Sequence, residues 1–197
     1  MINYPSGIKK VQKQKEEKSV IKARRSFSSS NRGMFLEEES NITNEYYKRI
    51  GKCLITKRPT PIHVLKVDYT KHAQIVSAHF ASKSTTDYNG IYKGRYIDFE
   101  AKSTKSKTSF PLANICEHQI EHLEGVLFHG GIAFFIIELS SLQEVYLLDA
   151  KYVINFYRHG ERKSIPVSAI KENGHKLTKA FMPRLNYLDI IEENYCK

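Results

Sequence analysis

The run Gly131-Ile132-Ala133-Phe134-Phe135-Ile136-Ile137-Glu138-Leu139 constrains the fold more than any other stretch of this 197-residue chain. A strand with one face in water alternates apolar and polar residues, whereas an unbroken apolar run of this length is expected of a central strand covered on both faces. The covers must come from elsewhere in the chain, and helices are the candidates. At about 100° per residue, Leu112, Ile115, Cys116, Ile120, Leu123, Val126 and Leu127 form one apolar stripe, which predicts a helix over 112 to about 128. A second helix is predicted from 34 to about 51. Leu36, Thr43, Tyr47 and Ile50 recur there at helical spacing, and Glu37, Glu38 and Glu39 suit the positive end of the helix dipole. Shorter helices are expected over 150–158, capped by Asp149 and ended by Gly160, over 166–173, and over 187–194. Strands are expected at 53–56 and 144–148 beside the apolar run. Strands mixed with helices predict a single α/β domain with a mixed β-sheet flanked by helices.

The stretch from Ser84 to Lys102 reads as two short strands around a Lys93-Gly94 turn. Side chains alternate in the second strand, so Ile97, Phe99 and Ala101 point one way and Tyr96, Asp98, Glu100 and Lys102 the other. Asp87, placed in the first strand, comes close to the end of the second. Two carboxylates and an ammonium then converge on one spot. Such a group suits phosphodiester cleavage. Asp87 and Glu100 can hold Mg²⁺, a hard cation that prefers oxygen ligands, the metal activates a water, and Lys102 can stabilise developing negative charge. The plainer reading is an exposed polar strand face whose charges pair across a hairpin. Asp98 lies two residues further from Lys102 and reads as a supporting or structural residue.

The net charge of +10 points to a polyanionic partner, either nucleic acid or an anionic membrane surface. No apolar run approaches the roughly 20 residues needed to span a bilayer, and the first residues lack the apolar core of a signal peptide. Cys53, Cys116 and Cys196 are scattered, which argues against a disulfide framework or a cysteine-based zinc site. A cytoplasmic protein with free thiols is expected. Residues 1–33 carry nine Lys or Arg and two Glu, and read as a basic tail, disordered without a partner, with Arg24, Arg25 and Arg32 as candidate phosphate contacts. Two extended segments, 62–69 and 73–80, flank a polar turn at 70–72. They and their surroundings bear Lys66, Lys71, His72, His79 and Lys83, and pattern alone makes them an ordinary hairpin. Lys105 and Lys107 sit in a polar basic run suited to phosphates or to a plain loop. His118-Gln119-Ile120-Glu121-His122 matches the H-x-x-E-H string of zinc peptidases. Both histidines lie roughly opposite the apolar stripe, however, and no third ligand motif follows, so they read as two surface histidines. Gln119 falls inside the stripe and needs hydrogen-bond partners there, with the neighbouring backbone one candidate.

The pattern Asp-(x)-Glu-x-Lys resembles the PD-(D/E)xK nuclease superfamily. The longer string Thr85-Thr86-Asp87-Tyr88-Asn89-Gly90 with Phe99-Glu100-Ala101-Lys102 is similar to the RecU-type Holliday-junction resolvases. So are Asn31-Arg32-Gly33-Met34, Asn44-Glu45-Tyr46-Tyr47, Lys57-Arg58-Pro59-Thr60-Pro61, His118-Gln119, His129-Gly130-Gly131, Tyr146 to Ala150 and Lys163 to Pro166, in order along nearly the whole chain. Thr86 stands where the superfamily pattern has proline. The resemblance implies a nuclease-like domain over 34–197 with a projecting β-stalk at about 60–84 that enters the centre of a four-way junction. It implies a structure-specific endodeoxyribonuclease that makes paired symmetric nicks in recombination and repair, with Mg²⁺ as cofactor (Mn²⁺ able to substitute) and products carrying a 5′-phosphate and a 3′-hydroxyl. Asp87, Glu100 and Lys102 are the implied catalytic residues, and Thr85 and Gln119 complete the metal site with the two carboxylates. A homodimer, a recombinase partner and a nucleoid-associated place in a bacterial cytoplasm follow from the same likeness, and Glu37 is a possible outer carboxylate. The alternative is a non-catalytic junction- or DNA-binding protein in which the carboxylate hairpin is structural.

Overall fold

A computed structural model describes residues 30–196 apart from Lys71 and Lys83, with side chains from Gly33 onward. Its elements are α1 (Ser30–Arg49), β1 (Leu54–Lys57), β2 (Ile62–Asp68), β3 (Gln74–Phe80), β4 (Tyr88–Tyr92), β5 (Arg95–Thr104), β6 (Ser109–Pro111), α2 (Glu117–Phe128), β7 (Ile132–Leu139), β8 (Glu144–Asp149), α3 (Ala150–His159), β9 (Ser164–Pro166), α4 (Val167–Asn173), β10 (His175–Lys176) and α5 (Tyr187–Tyr195). Six strands form one sheet in the order β1-β4-β5-β7-β8-β10. Only the central β5–β7 pair is parallel, so the sheet is mixed as the sequence predicts.

Every residue of β7 is buried, because each face of the sheet has its own core. Ile132, Phe134 and Ile136 join Leu36 and Tyr47 of α1 and Tyr187, Leu188 and Ile191 of α5. Ala133, Phe135 and Ile137 face Ile120, Leu123 and Val126 of α2, together with Val153 of α3 and Ile170 of α4. Tyr88, Phe99 and Phe134, on neighbouring strands, stack in sequence with ring centroids 4.8 and 4.7 Å apart. Such pairs contribute on the order of 1 kcal/mol each beyond the area they bury. The stack fixes one face of β5 and thereby turns Asp98, Glu100 and Lys102 toward α2.

Several boundaries differ from expectation. Helix α1 begins at Ser30 rather than 34, so Glu37 to Glu39 lie beyond its first turn and their dipole role falls away. Ile50, expected against the sheet, is exposed in the turn that ends the helix. The helix expected from 112 starts at Glu117. Leu112–Asn114 is a separate 3₁₀ turn and Cys116 is extended, so the apolar stripe runs through a bend before the helix begins. Asp149 caps α3 as expected, its Oδ1 accepting from Lys151 N–H at 2.7 Å. The small β6–β9 sheet and β10 carry no repeating pattern and were not anticipated. The tail expected over 1–33 lies, up to residue 29, outside the described residues.

Strands β2 and β3 pair with each other and with no strand of the main sheet, and nearly all their residues are exposed. Ala81 N–H donates to the Pro61 carbonyl at 3.0 Å, which closes the base of this hairpin. No helix among the described residues is long and apolar enough to cross a membrane.

Candidate functional site

The site forms where the 84–87 loop, the middle of β5 and the N-terminal turn of α2 meet. Asp87 falls just before β4 rather than within it. The register that sets Tyr88 opposite Phe99 brings Asp87 beside Glu100 all the same. Asp87 N–H donates to Glu100 Oε2 at 3.0 Å, and Ala101 N–H donates to Asp87 Oδ2 at 3.1 Å. Each carboxylate is therefore anchored by a backbone N–H of the other's segment, Glu100 on the loop before β4 and Asp87 on β5.

Glu100 is 1% exposed. A carboxylate so buried needs donors, and it has three: Asp87 N–H, Gln119 Nε2 at 2.7 Å to Oε1, and Lys102 Nζ at 2.6 Å to the same oxygen. Burial nonetheless lifts its carboxyl from the ordinary 4.5 to about 7. The neighbouring Asp87 charge adds to the rise, and Lys102 and Gln119 oppose it. A carboxyl of this kind is poised to take a cation, which removes the penalty for charge without a proton.

Gln119 serves two partners. Its Oε1 accepts from Cys116 N–H at 3.0 Å, capping α2, while Nε2 faces Glu100. The backbone bond and the site contact, alternatives in the sequence, coexist. In this orientation the amide offers the site a donor, and Oε1 would reach a cation only after the amide reverses. Thr85 Oγ1 is buried with no hydrogen-bond partner, as is Arg58 Nε. An orphaned hydroxyl two residues before Asp87 fits a hard-cation site, because a cation would satisfy an oxygen that the protein leaves unpaired. The donor set contains two carboxylates rather than a dense acidic cluster. Among the described residues, no three His, Cys, Asp or Glu side chains group in a way that could hold a metal.

Sequence reasoning undervalued the ground beneath this site. Asp98 is fully buried and accepts from Arg58 Nη2 at 2.7 Å, Tyr96 Oη at 2.8 Å, His122 Nε2 at 2.8 Å and the Thr86 hydroxyl. His118 Nε2 donates to the Ser84 carbonyl at 3.0 Å. The two histidines are thus neither free surface residues nor a zinc pair: they turn inward onto the loop and strand that carry the site. Arg58, just past the end of β1, carries no periodic signal in the sequence. Glu37 pairs with Lys57 at the end of β1, and its backbone carbonyl accepts from Tyr88 Oη at 3.1 Å. Of the candidate DNA contacts, Arg24, Arg25, Lys71, Lys83 and the Arg32 side chain lie outside the described residues. Lys105 and Lys107 are exposed on the loop after β5.

Comparison with known proteins places the whole chain. A model of the family described as recombination protein U matches residues 31–193. A Holliday junction resolvase RecU of Geobacillus sp. (strain WCH70) is 49% identical over 202 residues, covering 99% of this chain and 98% of that one. The Bacillus cereus (strain AH820) protein of the same name is 48% identical, with 98% of each chain covered. Among solved structures, the Holliday junction resolvase Hjc of Archaeoglobus fulgidus overlaps 73% of this chain and 94% of its own, with a TM-score of 0.43 and 11% identity.

Proposed function

The chain belongs to the recombination protein U family, and from that premise we propose the work its hairpin site performs. The protein is an endodeoxyribonuclease that resolves Holliday junctions in recombination. The observation that carries the assignment of the site is Glu100, a buried carboxylate with Asp87, Lys102 and Gln119 converging on it.

Asp87 and Glu100 would hold Mg²⁺, or Mn²⁺ in its place, with Thr85 Oγ1 and a reversed Gln119 amide completing the oxygen set. When bound, the cation supplies Lewis-acid polarisation at the scissile phosphate and a more acidic water. The chain supplies position. Asp87 and Glu100 are fixed on each other's backbone, so their separation is set before substrate arrives. Lys102, half-buried at the rim, keeps its ammonium against Glu100 and is placed to stabilise the negative charge that develops on the phosphate.

At the level of the molecule, the exposed β2–β3 hairpin enters the junction centre, and Lys105 and Lys107 meet backbone phosphates. A C₂ homodimer would present two such sites to a substrate that is itself nearly two-fold. The place of action is the bacterial cytoplasm at the nucleoid, with a recombinase as an associated partner. The alternative of a binding module without catalysis leaves the orphaned Thr85 hydroxyl and the strained charge on Glu100 without a purpose.

The test is cleavage of a labelled four-way junction and of a linear duplex of the same sequence, in Mg²⁺ and in EDTA, by wild type and Asp87→Asn. Paired symmetric nicks confined to the junction, lost in EDTA and at least 100-fold reduced in the variant with binding retained, are expected. Tight junction binding by wild type without any cutting would overturn the catalytic reading.

A further inference from the structure

Four donors from four parts of the chain meet on Asp98, and three of them, Thr86, Arg58 and His122, adjoin residues of the proposed cation site. Thr86, whose hydroxyl donates to Asp98 Oδ1, lies between Thr85 and Asp87. Arg58, 2.7 Å from Oδ2, also donates its backbone N–H to the Asp87 carbonyl at 2.8 Å. His122, 2.8 Å from Oδ2, lies three residues along α2 from Gln119, one turn away on a neighbouring face. Asp98 itself is two residues from Glu100, on the same face of β5. Tyr96 donates at 2.8 Å from the preceding position on that face.

This arrangement does more than neutralise a buried charge. One ion pair with Arg58 would neutralise Asp98, yet the carboxylate also takes an imidazole and two hydroxyls. His118, one turn before His122 on α2, holds the Ser84 carbonyl at the start of the same loop. The loop bearing Thr85 and Asp87 is thereby tied to α2 at one end and to β5 through Thr86. We propose that Asp98 is a positioning residue of the cation site. Through Thr86, Arg58 and His122 it sets the spacing of Thr85, Asp87 and Glu100 and the place of Gln119 beside them, so that the oxygens of the first three are arranged before a divalent cation binds. The inference rests on the reading of those four residues as the ligand set. Supporting partners of this kind commonly contribute 10–100-fold to metal affinity.

The experiment is calorimetric titration of Mn²⁺ into the full-length protein without DNA, beside junction binding in EDTA, for wild type, Asp98→Asn, His122→Ala and His122→Gln. Asparagine keeps the size of Asp98 and loses its charge. His122 is 24% exposed and can be changed with less damage to the core. Asp98→Asn is expected to weaken Mn²⁺ binding about 10-fold or more and His122→Ala about 3–10-fold. Glutamine at 122, which retains an N–H donor, is expected to restore part of the loss, and junction binding in EDTA is expected to stay within about 2-fold. A merely structural role would weaken junction binding together with Mn²⁺ binding, and that result overturns the proposal. So does unchanged Mn²⁺ affinity in His122→Ala, which stands as the test if Asp98→Asn fails to fold. Wild type that takes up no Mn²⁺ would instead remove the cation-site reading itself.

Discussion

Desolvation holds the Glu100 carboxyl near 7, and the sign of its effect on stability follows. Below the ordinary value of 4.5 the group is protonated in folded and unfolded chains alike, with no penalty. Between 4.5 and about 7 only the unfolded chain releases its proton, so stability falls as pH rises. Above that window the folded protein carries a buried charge that destabilises it by on the order of 3 kcal/mol. In EDTA, the melting temperature of wild type should drop by several degrees between pH 5 and pH 7.5, and Glu100→Gln should abolish the drop while eliminating cutting. Mg²⁺ at pH 8 should raise the wild-type melting temperature and leave the glutamine variant unmoved. A flat pH profile in EDTA would mean that Glu100 is better solvated than its burial implies. This buried charge was half visible in the sequence, where Glu100 and Lys102 are spaced to share a strand face. That the face is buried under α2, rather than open to water, could not be read from the spacing.

Strand β4 shows how an element depends on close approach. A Cβ on Gly90 would sit 2.0 Å from the Leu54 carbonyl oxygen, so β1 can lie against β4 only because residue 90 has no side chain. Gly90→Ala should destabilise the protein by about 1–3 kcal/mol in denaturant titrations and splay β1 from the sheet, loosening Arg58 just beyond it. The β2–β3 hairpin behaves in the opposite way. Its residues are exposed, and its base is closed by the Ala81–Pro61 hydrogen bond. Replacing residues 62–80 with a short turn should change the melting temperature by no more than a few degrees while sharply reducing the preference for junction over duplex DNA. A large fall in stability would place the hairpin in the core after all. Both hairpins were legible as pairs of extended segments. Only the structure shows that one lies inside the main sheet and the other stands apart from it, because the difference is made by neighbours distant in sequence.

For the whole molecule, a charge of +10 makes binding to DNA a matter of counterion release. Junction affinity should fall steeply with salt, and removal of residues 1–29, which hold eight Lys or Arg and two Glu, should make the log–log slope shallower while leaving the melting transition of the remainder in place. An unchanged slope would assign the phosphate contacts to the body instead. The sequence by itself determined the sandwich: one apolar run with no polar face demands two covers, and amphipathic helices before and after it supply them. It also determined which carboxylates and which ammonium share a strand face, since alternation along β5 is local geometry. Tertiary structure alone decided what surrounds them. Thr86, Arg58 and His122 reach Asp98 from segments as much as 64 residues apart, spanning 58 to 122, and no periodicity records such a meeting. Hydrogen bonds to a buried carboxylate depend on the packing of the layers that bury it, and that packing exists only once the chain has folded.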